Sequence, residues 1–175
     1  MLPLSPVARK FILHWGEMGS SWGINRSVAQ VHALLYAAGE PLHAEDIAGA
    51  LEMARSNVST SLKELQSWGL IRVVHKLGDR RDHYESLGDV WEMFRLVMEG
   101  RRRREVEPTI RVLRECVAEL QNESKSAPLK SRLSSMLDFL EVTDAWYLNI
   151  RKLPTSVLIK MFKMGGKLQR WLTGD

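Results

Sequence analysis

Cysteine is almost missing from this chain: Cys116 is the single one in 175 residues. That excludes an internal disulfide and fits a reducing compartment. Long hydrophobic runs are missing too. No stretch approaches the roughly 18 apolar residues that a membrane-spanning helix needs. The N-terminus has no basic segment followed by an apolar run, so no signal peptide is expected and a cytoplasmic location is. There is no glycine-rich phosphate loop, no nucleophile elbow and no zinc-hydrolase motif. Glu45 and Asp46 are adjacent, so on a helix they point apart and form no catalytic carboxylate pair. His14, His32, His43, His75 and His83 offer no ligand spacing on one helix face, and Cys116 is remote from them. No catalytic residue, metal or cofactor is therefore expected. Internal repeats and low-complexity tracts are also absent.

Charge is present but not in large excess. The formal net charge is +4 and the sequence pI about 9.4. Residues 1–87 hold nine Lys/Arg and nine Asp/Glu, whereas 88–175 hold sixteen and twelve. Hydrophobic residues make up 45%, enough for a real core in one domain or two small ones.

The informative stretch runs from Leu42 to Ser86. It reads as a short helix over Ala44–Leu51, a tight connection, a second helix from Arg55 to Trp68, and two strands around a basic turn. That is the order of a winged helix-turn-helix. In the second helix Val58, Leu62 and Leu65 make one apolar stripe at i, i+4, i+7. The other face carries Ser56, Ser59, Thr60 and Lys63, short donors and one cation that suit a major groove. Gly69 suits the helix C-terminus. Val73 and Val74 favour a strand, and Leu77–Asp82 is the hairpin tip. Arg80 and Arg81 there are either solvated charges or minor-groove contacts. Asp79 is placed to hold Arg81 by a charge-assisted bond. Between 53 and 82, Arg55, Lys63, Arg72, Lys76, Arg80 and Arg81 face only Glu64, Asp79 and Asp82. Salt-sensitive affinity for double-stranded DNA follows from such local positive charge. His75 and His83 are expected to face each other across the hairpin.

The run AEDIAGALEMARSNVSTSLKELQSWGLIRVVHKLGDRRDHYES, followed by GDVWEMF and preceded by WGEMGSSWGINRSVAQVHALLYAAGEPL, resembles the GbsR/MarR family of transcriptional regulators. The resemblance covers roughly residues 10–120. It implies a homodimeric winged-helix regulator, most simply a repressor, acting on a palindromic operator. It also implies a DNA affinity that responds to a small-molecule effector such as choline or a related solute. One departure from the family pattern falls at Met53-Ala54-Arg55-Ser56-Asn57, where the family usually has Met-Ser-Lys-Gly-Asn. Ala54 cannot cap. Either the helix begins at Ser56, or its first turn is weaker by about 0.5–2 kcal/mol.

The DNA-facing set is thus Ser56, Asn57, Ser59, Thr60 and Lys63 on the helix and Arg80 and Arg81 on the wing. Arg55, Arg72 and Lys76 are expected to position the backbone. The alternative is a winged-helix protein–protein interaction module, for which an apolar groove would be expected in place of the polar helix face.

Three segments follow. Residues 1–25 supply an N-terminal helix to a dimer interface, 26–88 form the winged unit, and 89–175 form a helical dimerisation and effector region. The fold class is mainly α: a three-helix core with a hairpin wing, and further helices at both ends for dimerisation. Ser5 and Pro6 open a first helix over 5–19. Val28, Val31, Leu34 and Leu35 face inward on Arg26–Ala38. Gly88-Asp89 opens a long helix striped by Val90, Phe94, Val97 and Met98, which Pro108 must break or restart. Helices are expected over 108–122, 129–151 and 154–171, with a polar linker at 124–128. Phe11, Leu13 and Trp15 at one end, and Leu158, Met161, Phe162, Leu168 and Trp171 at the other, exceed what one small core needs. The resemblance implies that these ends interlock between subunits; intrachain packing is the alternative. Cys116, among Ile110, Leu113, Val117 and Leu120, reads as a core or interface residue.

Arg101–Arg104 spread around a helix. They are either a solvated face, phosphate contacts, or partners of Glu105 and Glu107. Six tryptophans is a high number for this length. Each one is either a core anchor or, for Trp22, Trp91 and Trp146, part of an effector pocket in which aromatic faces hold a quaternary ammonium.

Overall fold

The computed structural model describes residues 4–120 and 127–173, with side chains through Met164. Contacts divide the chain into two compact units, Met1–Val97 and Met98–Asp175. This division falls beyond residue 88, inside a helix.

The first unit opens with α1 (Pro6–Ser21). Ser5 caps it by accepting from the Ala8 N–H at 3.1 Å, and Pro6 stands at the first turn, where no N–H is needed. α1 runs to Ser21 even though it contains Gly16 and Gly19. A Cβ on Gly19 would lie 2.6 Å from the Ala29 Cβ. These glycines let α1 approach α2 (Arg26–Ala38) closely, and both are buried there. Strand β1 (Leu42–His43) leads into α3 (Ala44–Leu51) and α4 (Arg55–Ser67). β2 (Ile71–Val74) and β3 (His83–Ser86) form the wing. The sheet is antiparallel in the order β1-β3-β2, with His43 opposite His83 and Val73 opposite Tyr84.

The core of this unit is where the periodicities put it. Val31, Leu34, Leu35, Ile47, Val58, Leu62 and Leu65 are at most 2% exposed. Ser61 shares that buried face, although its type suggests the surface. α4 ends as its sequence predicts. Gly69 takes φ +71°, the Leu70 N–H reaches Leu65 O at 3.0 Å, and the Gly69 N–H reaches Gln66 O at 2.9 Å. Leu70 and Leu65 are both buried, which completes a Schellman ending with its apolar clasp. The end of α3 uses the same reversal without glycine: Glu52 sits at φ +53° while the Met53 N–H bonds to Ala48 O at 3.0 Å.

α5 (Val90–Arg101) is opened by Asp89, whose carboxylate accepts from the Trp91 and Glu92 N–H groups at 2.8 and 3.2 Å. In the second unit the helical path continues past Arg101 into a π-turn (Arg102–Val106), where the Glu107 N–H bonds to Arg102 O. α6 (Glu107–Glu119) follows with Pro108 in its first turn. Of the two expectations for Pro108, a break or a restart, the restart holds. The Pro108 ring and missing N–H are absorbed by the wider turn just before it. Ile110 and Leu113 of α6 are buried, whereas α7 (Ala127–Ile150) buries no residue. Met136, Phe139, Val142 and Trp146 of α7 are each more than half exposed. α8 (Thr155–Thr173) contributes the buried Leu158. The 124–128 linker lies mostly outside the described residues, as do the side chains of Leu168 and Trp171.

Three of the four consecutive arginines meet acids. Arg102, largely buried, meets Asp144 at 2.6 Å and Glu107 at 2.7 Å. Arg103 and Arg151 share Glu99 at 2.8 and 2.7 Å, and Arg101 reaches Glu105 at 3.4 Å. The Arg104 Nε–H donates to Gly100 O at 3.1 Å. Among the sequence alternatives, acidic neighbours account for Arg101, Arg102 and Arg103.

Candidate nucleic-acid interface

α4 begins at Arg55, and Ala54 gives it no side-chain cap. Its first-turn N–H groups therefore have no capping oxygen, an arrangement suited to an anion. Ser56, Asn57, Ser59, Thr60 and Lys63 are all exposed, while Val58, Leu62 and Leu65 anchor the opposite face. The helix thus shows solvent one contiguous polar face of short hydroxyls, an amide and one ammonium.

The wing is tied down more tightly than its composition indicates. Asp79 grips Arg81 three ways: it accepts from Nε at 2.9 Å, from Nη2 at 2.6 Å and from the backbone N–H at 3.0 Å. The side-chain and backbone bonds from Arg81 hold the Asp79 carboxyl well below the usual carboxylate range, and Asp79 raises Arg81 in turn. The Lys76 Nζ donates to Pro41 O at 3.2 Å, fastening the hairpin arm to the approach to β1. Arg72 pairs with Glu85, directly opposite on β3. Arg55 pairs with Glu45 of α3. Both acids lie outside the 53–82 window, so the local positive charge is smaller than that window implies. Arg80 is exposed at the tip and makes no ion pair among the described residues.

His83 does not face His75. In the antiparallel register its opposite on β2 is Val74. His75 lies outward, 3.7 Å from Asp82. His83 is buried with its Nδ1 3.1 Å from Arg81 O, and its ring meets His43 edge-on at 5.7 Å. Strand alternation sends 83 inward, and the neighbour across β1 replaces the one across β2.

Residues 22–82 match the MarR family model. The HTH-type transcriptional repressor GbsR of Bacillus subtilis (strain 168) is 25% identical over 140 residues, covering 78% of this chain and 77% of that protein. These similarities support a GbsR/MarR-type transcriptional regulator. A crystal structure of a transcriptional regulator superposes with a TM-score of 0.65 at 19% identity, covering 83% of this chain and 96% of that one, and shows the same fold.

In the first unit, side chains from α1, α2, the end of α4 and α5 line an open cavity of about 420 Å³. Phe11, Trp15, Trp22, Tyr36, Trp68 and Phe94 line it, and the remaining lining is almost wholly aliphatic. His32 is its most polar wall. Burial lowers the His32 pKa to about 4, and its Nε2 lies 3.2 Å from the Ser86 hydroxyl. Of the three tryptophans singled out in the sequence, Trp22 lines this cavity. Trp91 and Trp146 are not among its lining residues: Trp91 meets Phe94 edge-on at 6.4 Å, and Trp146 stands exposed on α7 of the second unit. Sequence reasoning did not single out Trp15 and Trp68 as cavity walls. Their helical spacing marks them only as apolar-face residues. No described helix is long and apolar enough to cross a membrane.

Proposed function

We propose that this regulator binds a palindromic operator in duplex DNA as a homodimer and represses from it. The observation that carries the reading is the exposed polar face of α4 beside an arginine-tipped wing. Ser56, Asn57, Ser59, Thr60 and Lys63 enter the major groove. Arg80 and Arg81 reach the minor groove or its phosphates. Arg55, Arg72 and Lys76 stabilise the frame through Glu45, Glu85 and Pro41 and add positive potential beside the phosphates. An apolar groove, which a protein-interaction module would show, is not what α4 presents.

The exposed apolar side chains Met136, Phe139, Val142 and Trp146 support the homodimer, because a monomer has no use for such a row on one helix. The aromatic cavity supports a small-molecule effector, with choline or a related quaternary solute as the first candidate. The protein acts in the cytoplasm. Anisotropy titration against DNA from upstream of its own gene, at two salt concentrations and with excess competitor, tests the DNA reading. Saturable binding that survives competitor supports it, and binding wholly lost to competitor removes it. Light scattering in the same buffer reports the dimer.

A further inference from the structure

His43 stands where three elements meet. It ends β1, caps α3 and touches the wing. Its side chain is 12% exposed, and both ring nitrogens are contested. The Asp46 N–H donates to Nδ1 at 3.2 Å, and Glu45 Oε2 lies 3.0 Å from the same nitrogen. Nε2 lies 3.1 Å from Asp46 Oδ2 and 2.9 Å from Arg81 Nη1. The surrounding charged and titratable groups are Glu45 and Asp46 on α3, Asp79 and Arg81 on the wing, His83 on β3, and Arg55 of α4, which reaches Glu45.

A neutral imidazole has one donor and one acceptor nitrogen, and an imidazolium has two donors. These neighbours cannot all be satisfied at once. Arg81 Nη1 is a donor, so holding it requires a bare Nε2. The ring proton then sits on Nδ1, facing Glu45, and the Asp46 N–H gives up its cap acceptor. With a second proton both nitrogens donate, Glu45 and Asp46 take them, and Arg81 loses its acceptor and faces a cation. Asp79 meanwhile keeps Nε and Nη2.

We infer that His43 is the positioning residue for Arg81, a latch from the first helix of the helix-turn-helix to the wing tip that holds only while its ring is neutral. The inference rests on the reading of Arg81 as a DNA contact. A guanidinium has five N–H groups. Asp79 and His43 engage Nε, Nη1 and Nη2, and the two remaining N–H groups serve a phosphate or base edge. A held guanidinium loses less freedom on entering a groove than a swinging one. A second proton on His43 removes that acceptor, so the contribution of Arg81 to DNA binding declines once the ring is charged.

His43→Asn removes the latch and leaves a side chain that can accept from the Asp46 N–H. Asparagine caps a helix well, does not titrate, and is too short to reach Arg81 as the ring does. The first measurement is free of DNA: ring ¹⁵N shifts of His43 in the full chain, wild type and Arg81→Ala. The expected wild type carries the proton on Nδ1 at pH about 8. Removing Arg81 moves it to Nε2, where Asp46 accepts. A tautomer that Arg81→Ala leaves unchanged overturns the latch.

The second measurement is a double-mutant cycle of His43→Asn and Arg81→Ala, read by anisotropy with a labelled random-sequence duplex from acid to mildly alkaline pH at fixed ionic strength. The Arg81→Ala loss is expected to be about tenfold at the alkaline end of the range and to shrink severalfold at the acid end. In the His43→Asn background it stays small at every pH. Additive losses, or an Arg81 increment that ignores pH, overturn the positioning role. If the tautomer moves as expected but Arg81→Ala binds DNA like wild type, then the DNA contact of Arg81 fails and the positioning role falls with it.

Discussion

Arg102 and Asp144 meet side by side across the second unit, Nε to Oδ1 at 2.6 Å and Nη2 to Oδ2 at 3.1 Å. Both side chains are mostly withdrawn from water, at 13% and 15% exposure. A pair of this kind is weak evidence of net stabilisation, but breaking it leaves a desolvated charge behind. Glu107 keeps part of the compensation. Asp144→Ala is expected to cost about 2–4 kcal/mol in urea unfolding. A change below half a kcal/mol would mean that Arg102 simply turns to Glu107 or to water.

The α1–α2 contact is set by two small residues. Gly19→Ala places a methyl 2.6 Å from the Ala29 Cβ, and neither position has a flexible end that could yield. The expected loss is about 1–3 kcal/mol. Adding Ala29→Gly should return much of it, apart from the helix penalty of the new glycine, about 1 kcal/mol. Thermal melts of the two single variants and the double variant decide this, and purely additive losses would deny the contact.

Glu52 carries a left-handed φ of +53° with a full side chain. An L-residue there costs roughly 1–2 kcal/mol that glycine does not incur. Glu52→Gly is expected to stabilise the first unit by about 0.5–1 kcal/mol after the entropy of the new glycine is counted. A lower midpoint in denaturant would show that Glu52 makes a compensating interaction.

His32 gives a pH dependence of known sign. Its ordinary pKa of 6.5 falls to about 4 on burial in the fold. Above 6.5 neither state takes up the proton, and stability is fully present. As pH falls from 6.5 towards 4, the unfolded chain is protonated and the folded one is not, so stability drops by up to about 1.4 kcal/mol per pH unit. The total loss is about 3 kcal/mol. His32→Gln keeps a partner for Ser86 and removes the titration. Its unfolding free energy should be flatter than that of wild type between pH 6.5 and 5, and parallel curves would refute the assignment.

On DNA, the residues of α4 should divide by role. Lys63→Ala is expected to weaken binding across sequences and reduce the salt slope by about one unit. Ser59→Ala should change the ranking of operators with little effect on the slope. Salt titrations on two unrelated duplexes separate these behaviours. An unchanged slope removes Lys63 from the phosphate contacts.

The helices of the first unit are legible because their signals are local. Ser5 and Pro6 start α1, Gly69 ends α4, and Val58, Leu62 and Leu65 mark the buried stripe. What was not legible depends on partners far along the chain. Asp144 is 42 residues from Arg102, and Glu85 is 13 from Arg72, so no window reveals that these cations are neutralised. The mispairing of His83 with His75 came from reading a hairpin without β1, the strand that supplies His43. The role of Gly16 and Gly19 lies in how closely they let α2 approach, which residue type alone does not reveal. Pro108 marks a restart, as its type predicts, but the π-turn that precedes it leaves no mark in residue types. On α4 the candidate contact residues could be read by type and spacing. The wing needed coordinates, because Arg81 is defined by what grips it.

The aromatic cavity of the first unit has a practical consequence at the bench. Dyes such as anilinonaphthalene sulfonate brighten in apolar surroundings, and that brightening is commonly taken as a sign of a molten state. A folded molecule that holds an open apolar chamber of about 420 Å³ should light them up without any loss of structure. Trp15, Trp22 and Trp68 in its wall would act as energy donors to the bound dye. Dye-based melting curves of this protein should therefore start from a bright baseline, and circular dichroism is the sounder thermometer.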